Sequence, residues 1–297
     1  MRKDQEDVLA IVQFIHPGKE HGADKDRIKN WNTLDRPHRR KFILSEGTRI
    51  EKGRSINGLI GFWGEWEPPS IVHKIDTTSF SRTLRNGPKY FHTTAFPQSI
   101  HRYNGLHDTD PFVFGNRFLY NGCQQHTTGG TVDTLLRWLA PGSLILFGSA
   151  VDKRFVLDTA LVVKDYKDYP RGDYNSLEGL VPDMYYGAAL HPQSLVDEAV
   201  DSFRLYRGKN YADDWPFSFV PCVAMERNML GFARPNIILP SAITQNLSQG
   251  KKITRATEAQ IENAWLSVLR QVEEQGCSAG TKVALSPIVF DGNYNAE

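Results

Sequence analysis

Cysteine is scarce in this chain of 297 residues: Cys123, Cys222 and Cys277 are all it has. Odd in number and widely scattered, they exclude a disulfide framework and a four-cysteine zinc or iron–sulfur site. Cys123 and His126 make only half of a metal site, and nothing nearby in the sequence completes it. Long apolar runs are missing too. Ser143 to Phe147 and Phe155 to Val163 fall far short of the roughly 20 residues that span a bilayer, so no transmembrane helix is expected. Val8 to Ile15 is also short and lacks a small-residue cleavage site, which argues against a secretory signal and makes the cytoplasm the expected compartment. Charge excess is absent: 35 basic and 34 acidic residues give a formal net charge of +1. No global field draws the chain onto nucleic acid or an anionic membrane, so any such contact has to come from a local patch.

A hydrophobic content of 40% suits a folded, water-soluble chain, read as one elaborated domain over 1–297. Val8 to Ile15, Gly58 to Trp63, Asn116 to Tyr120, Ser143 to Phe147 and Phe155 to Val163 read as strands. Thr131 to Leu139 has helical spacing, with Val132, Leu135, Leu136 and Leu139 on one face. Ile71 to Asp108 reads as irregular connection, and Asp165 to Asn175 as a charged loop. Thr257 and Gln260 have capping-box spacing before the stripe Ile261, Ala264, Trp265, Val268, Leu269 and Val272, which predicts a helix with Trp265 in the core. The order strand, polar loop, helix, strand, loop predicts an α/β fold with a central, mostly parallel sheet flanked by helices. Functional loops then lie at the carboxyl ends of the strands.

Candidate chemistry concentrates in a few turns. Glu65 and Glu67 lie among Trp63, Trp66, Pro68 and Pro69 directly after a strand, where a carboxylate positions water or stabilises a cationic transition state and Trp66 stacks on a planar ligand. Asn121 ends a strand and offers a donor and an acceptor together, the requirement for reading one edge of a nucleobase. His191, in His191-Pro192-Gln193-Ser194, can stabilise negative charge on a departing group. Asp110, before Pro111 and the aromatic pair Phe112 and Phe114, is a further candidate carboxylate, with an Asx-type turn as its alternative reading. The densest basic cluster, His38-Arg39-Arg40-Lys41, reads as a solvated face or as a phosphate-contacting patch. Lys251 and Lys252 sit in a segment, Leu247 to Arg255, expected to be an exposed loop.

Taken in order, these pieces resemble the uracil-DNA glycosylase superfamily. Gly64 to Pro69 matches its water-activating loop, Leu119 to Asn121 its base-reading strand, Val132 to Leu139 its following helix, Ser143 to Ser149 its next strand, and His191 to Ser194 its late His-Pro-Ser loop. One residue is inserted in the first loop, Gln193 is extra in the last, and the cysteines supply no iron–sulfur cluster. The resemblance implies a three-layer sandwich and a monofunctional DNA glycosylase that needs no metal or organic cofactor. A flipped base would stack against Trp66, Phe112 or Phe114 and be read by Asn121, with Ser194 beside it. Glu65, Glu67 or Asp110 would stabilise the oxocarbenium-like sugar, and His191 would balance the leaving base. Arg39, Arg40, Lys41, Lys251 and Lys252 would meet the DNA backbone. The bulky Trp63-Gly64-Glu65-Trp66 turn points to a modified or damaged base rather than uracil, and a base from foreign phage DNA would make this a defence enzyme.

Two other classes fit the residues. One is a non-catalytic module that binds a modified base or RNA, in which Ser143 to Val163 forms paired strands of a small β-barrel with Lys153 and Arg154 at a tight turn. A sheet made mainly of antiparallel strands would favour it. The other is a transferase acting on free nucleosides, which needs the carboxylates but not the basic patch.

Overall fold

The computed structural model describes residues 6–20, 28–29, 39–66, 70–75, 87–94, 110–127, 132–196, 199–213, 215–225 and 230–285. Their strands are, in chain order, β1 (Ala10–His16), β2 (Ile28–Lys29), β3 (Lys41–Glu51), β4 (Arg54–Gly64), β5 (Ser70–Lys74), β6 (Tyr90–Thr94), β7 (Leu119–Asn121), β8 (Leu144–Val151), β9 (Arg154–Pro170), β10 (Ser202–Gly208), β11 (Val220–Ala224), β12 (Gly250–Arg255) and β13 (Ser278–Val283). The helices are α1 (Asp183–Tyr185), α2 (His191–Val196) and α3 (Glu258–Glu274), with a single π-helical turn at Tyr186–Leu190 between the first two.

Side chains of β1 alternate between two cores. Ala10, Val12 and Phe14 join one cluster, and Ile11 and Ile15 the other. β8 does the same, with Ile145 and Phe147 on one face and Leu144 and Leu146 on the opposite one. A strand buried on both faces reads as an unbroken apolar run whatever direction its neighbours take. That explains why the parallel-sheet expectation fails.

The first sheet has the order β12-β1-β8-β9-β10-β7, in which only β1 and β8 are parallel. The second has the order β13-β11-β4-β3-β6-β5-β2, with only β3 and β6 parallel. β13 also pairs with β3, so β3, β4, β11 and β13 close on one another. Two mixed, largely antiparallel sheets therefore replace the expected α/β architecture, and the glycosylase-like three-layer sandwich is overturned with it. Among the described residues α3 alone is a long helix. Its capping box is present, and Ile261, Ala264, Trp265, Val268 and Val272 face the second core. No helix of the described residues is long and apolar enough to cross a membrane.

Several local expectations change for identifiable reasons. β8 and β9 form a hairpin closed by Asp152 and Lys153, whose positive φ values of 48° and 59° match the twist of a two-residue turn. The helix expected over Thr131 to Leu139 shrinks to a 3-10 turn at Leu135–Trp138, and Val132, assigned to its apolar face, is exposed. Thr131 itself lies outside the described residues. The charged loop at Asp165 is instead the second half of β9. Its charges are compatible with a strand because they pair across the sheet: Asp165 lies opposite Arg207 and Asp168 opposite Arg204, each bridged by two hydrogen bonds. Within the supposed irregular connection, β5 and β6 pair with each other. Lys251 and Lys252 belong to the edge strand β12 rather than to a loop.

Candidate functional site

Arg40 and Glu65 flank the ends of the β3–β4 hairpin, whose last pair is Lys41 opposite Gly64, so their side chains leave at the same place. Asp158 reaches that place from β9. The β8–β9 register slips between Phe147 and Gly148, leaving Asp158 as the extra residue of a bulge, and bulges re-aim side chains in this way. A Cβ at Gly148 would lie 2.2 Å from the Val156 carbonyl oxygen, so the slip depends on glycine. Arg40 Nη1 stands 2.8 Å from Glu65 Oε2, and Arg40 Nε 2.9 Å from Asp158 Oδ2. The separations are those of tight ion pairs, although the N–H directions are poorly aligned for hydrogen bonds. Arg234 donates to Ser149 Oγ at 2.9 Å and to the Gly18 carbonyl at 2.6 Å, lies 3.3 Å from Asp158, and covers the Trp63 ring.

Two guanidinium groups thus balance two carboxylates in a buried cluster. Burial opposes the charge on Arg40, but Glu65 and Asp158 together outweigh it and hold its pKa above the ordinary value. At Arg234 burial prevails over Asp158, and its pKa is lowered. His16, at the end of β1, extends the cluster: its Nδ1 lies 3.5 Å from Glu65 Oε2.

A second polar cluster, made mostly of neutral groups, gathers around Asn121. β7 pairs with β10 through Asn121 opposite Leu205, and Gly122 then turns with a φ of 76°. Asn121 Oδ1 accepts from the Tyr169 hydroxyl at 2.9 Å, and its Nδ2 donates to Gln193 Oε1 at 2.6 Å. Asp110 accepts the backbone N–H of Asn121 at 2.9 Å, that of Cys123 at 3.3 Å, and the Tyr185 hydroxyl at 3.0 Å. Gln193 lies so close over Gly122 that a Cβ there would meet its amide nitrogen at 1.5 Å. Burial raises the Tyr169 phenol well above its usual range, and the bond to Asn121 offsets only part of this. Three rings cluster at the helical segment that carries Gln193: Tyr174 and Tyr186 with centroids 4.5 Å apart, and His191 at 5.8 Å from Tyr186. β9 serves both clusters, supplying Asp158 to one and Tyr169 to the other.

The structure sorts the sequence candidates accordingly. Asp110, Asn121, His191 and Ser194 gather around the neutral cluster, where the Ser194 hydroxyl donates to the His191 carbonyl at 2.7 Å. Glu65 belongs to the ionic cluster, and Glu67 lies outside the described residues. Trp66, Phe112 and Phe114 are fully buried in one core, packed in edge contacts at 4.8 and 5.4 Å rather than facing solvent for stacking. The basic cluster is not a surface strip. His38 lies outside the described residues; Arg40 and Lys41 are buried and Arg39 is part-exposed, because the apolar β3 begins at Lys41 and draws its entry inward. Lys251 turns onto the Gln124 carbonyl at 2.6 Å, and Lys252 is part-exposed on the edge strand.

His16, Asp158, Tyr169, Gln193 and Arg234 are residues of these two clusters to which the sequence assigned no role. Asp158 left a signal, a lone charge inside the apolar run Phe155 to Val163. His126 contacts Asp133 and Arg137, at 3.3 and 2.7 Å, while the imidazole near Cys123 is that of His16. No group of three or more His, Cys, Asp or Glu side chains suited to a metal occurs among the described residues. Compared with known proteins, the chain matches no family model, no curated protein and no solved structure.

Proposed function

We propose that this protein recognises a nucleobase, modified and displaced from a nucleic acid strand, at the cluster around Asn121. The observation that carries the reading is the carboxamide pair between Asn121 and Gln193. An amide presents a donor and an acceptor side by side, as a base edge does, so Gln193 occupies the position that a base edge takes when it pairs with Asn121. The hydroxyl of Tyr169 fixes which way the Asn121 amide points. Gln193 belongs to the short helix that follows the π-helical turn, a feature concentrated at functional sites. Tyr174 and Tyr186, part-exposed, and His191, exposed, form a ring cluster at the same helical segment that offers faces for stacking.

Of the three candidate carboxylates, Glu67 lies outside the described residues, and the state of the other two supports binding over base removal. Glu65 is engaged by Arg40, and Asp110 by three hydrogen-bond donors, so neither is arranged to stabilise a cationic sugar. The antiparallel β8–β9 hairpin also suits a recognition module. DNA is the first polymer to test, and a reducing cytoplasm the expected compartment, in keeping with three free thiols.

The test is a panel of DNA and RNA strands, unmodified, uracil-containing or carrying enlarged bases, scored for retention on the protein and for released base. Retention of one modified strand, lost in Asn121→Ala without loss of folding, is the expected result. Released base and abasic product would replace this reading with the glycosylase, and retention of no strand would refute it.

A further inference from the structure

His16 faces two groups. Its Nδ1 lies 3.5 Å from Glu65 Oε2, and its Nε2 lies 3.9 Å from Cys123 Sγ. One imidazole therefore spans a thiol and a carboxylate, the order in which an activated nucleophile is assembled: nucleophile, base, orienting acid. The three groups come from separate parts of the chain, the end of β1, the residue after β4 and the turn after β7, so no sequence motif announces them.

Cys123 differs from the other two cysteines. Cys222 and Cys277 are buried, and burial raises both thiols, Cys277 to about 12. Cys123 is partly exposed, on a turn between Gly122 and Gln124, whose φ values are 76° and 56°. A left-handed backbone at a residue other than glycine persists only where its surroundings fix it, and such strain gathers at functional sites. Here the Lys251 ammonium fixes it by donating to the Gln124 carbonyl at 2.6 Å.

The charges around the thiol do not all act in one direction. Burial lowers the Lys251 pKa, and Cys123 opposes that lowering, so the same coupling favours the thiolate. The Asp110 carboxylate, which accepts the Cys123 N–H at 3.3 Å, works against it. Glu65 favours a protonated His16, while Arg40 at 2.8 Å tempers the charge of Glu65.

We propose that Cys123, His16 and Glu65 form a thiol-nucleophile triad that hydrolyses an activated acyl compound, an ester or a thioester. Cys123 is the nucleophile, His16 the proton carrier and Glu65 a positioning residue. His16 takes the thiol proton as the sulfur bonds to the carbonyl carbon. The bond to the leaving alcohol or thiol breaks, and the departing group takes its proton from His16. Water, deprotonated by His16, then attacks the thioester, the carbon–sulfur bond breaks, and the thiol is restored. The balance is one acyl compound and one water giving one acid and one alcohol or thiol. This activity stands independently of base recognition.

The experiment uses the full chain and reads Cys123 by peptide mass spectrometry. The pH profile of iodoacetamide alkylation is measured, with buried Cys222 and Cys277 as internal controls, and p-nitrophenyl acetate serves as the acyl probe. The expected midpoint at Cys123 lies at least ~1 pH unit below the value of about 8.5 for a free thiol. His16→Asn, Lys251→Met and Glu65→Gln should each raise it. The ester should give a stoichiometric burst with an acetyl group on the Cys123 peptide, lost in Cys123→Ser. An ordinary midpoint in the native protein, or no acetylation of Cys123, overturns the proposal. Should His16→Asn fail to fold, the native profile and Lys251→Met decide, and a midpoint unmoved by Lys251→Met also counts against it.

Discussion

Glu65 lies 2.8 Å from a buried guanidinium that also serves Asp158, whereas Asp110 collects two backbone N–H groups and a phenol. Both carboxylates are buried, at 3% and 1% exposure, yet they are satisfied in different ways. The first depends chiefly on a cation shared with Asp158, with His16 farther off, and the second on neutral donors, three of them among the described residues. Removing Arg40 takes from Glu65 its nearest cation in a poorly solvating interior, while Arg234 still reaches Asp158 at 3.3 Å.

The sharpest way to break the comparison is Arg40→Met. It should cost about 3–5 kcal/mol, read as a lower urea midpoint with an unchanged slope. A loss below about 1 kcal/mol, the range of exposed pairs, would mean that water already reaches the cluster. Asp110→Asn keeps one acceptor and should cost less, about 1.5–3 kcal/mol. A cost equal to that of Arg40→Met would erase the distinction between the two sides.

Alkaline pH separates the halves by another route. Burial raises the Tyr169 phenol above its ordinary value of 10.0. A raised folded value leaves stability intact below the unfolded value and removes it as pH climbs beyond, since the unfolded chain gives up its proton first. Stability should therefore fall from about pH 10 upward, and Tyr169→Phe should flatten that fall, while Arg40, its pKa raised, keeps its charge over the same window. Cys222 and Cys277 add a background shared by both proteins. An equally steep fall in Tyr169→Phe would remove this phenol as the cause. The smallest effect belongs to Gln193→Ala, expected to cost about 1 kcal/mol while strengthening retention of a modified-base strand. Weaker retention would show that Gln193 contacts the ligand rather than standing in for it.

The sequence made some features legible and hid others for physical reasons. The α3 helix was readable because its cap and its apolar stripe are local. Strand positions at β1, β8 and β9 were readable from apolar runs, but their direction was not, since burial on two faces looks the same in parallel and antiparallel sheets. Asn121 and Asp110 were found as strand-end and turn residues and do share a cluster. Their partners Tyr169 and Gln193 were hidden, because the long antiparallel reach of β9 and the seating of α2 over Gly122 are tertiary facts. Arg39, Arg40 and Lys41 illustrate the opposite error. A basic run suggests a surface, yet the carboxylates that compensate Arg40 lie far along the chain.

β1 sits between β8 and β12, with Ala10 opposite Arg255 on one side and Ile11 opposite Leu144 on the other. During synthesis this apolar strand waits for the ribosome to deliver β8, and then for β12, far later in the sequence, before its second edge is covered. Such long-range pairing slows folding and leaves a sticky strand accessible meanwhile. Chains cut short before residue 250 should therefore expose β1 to chaperones, and production in cells should respond to chaperone supply more than the stability of the finished protein suggests.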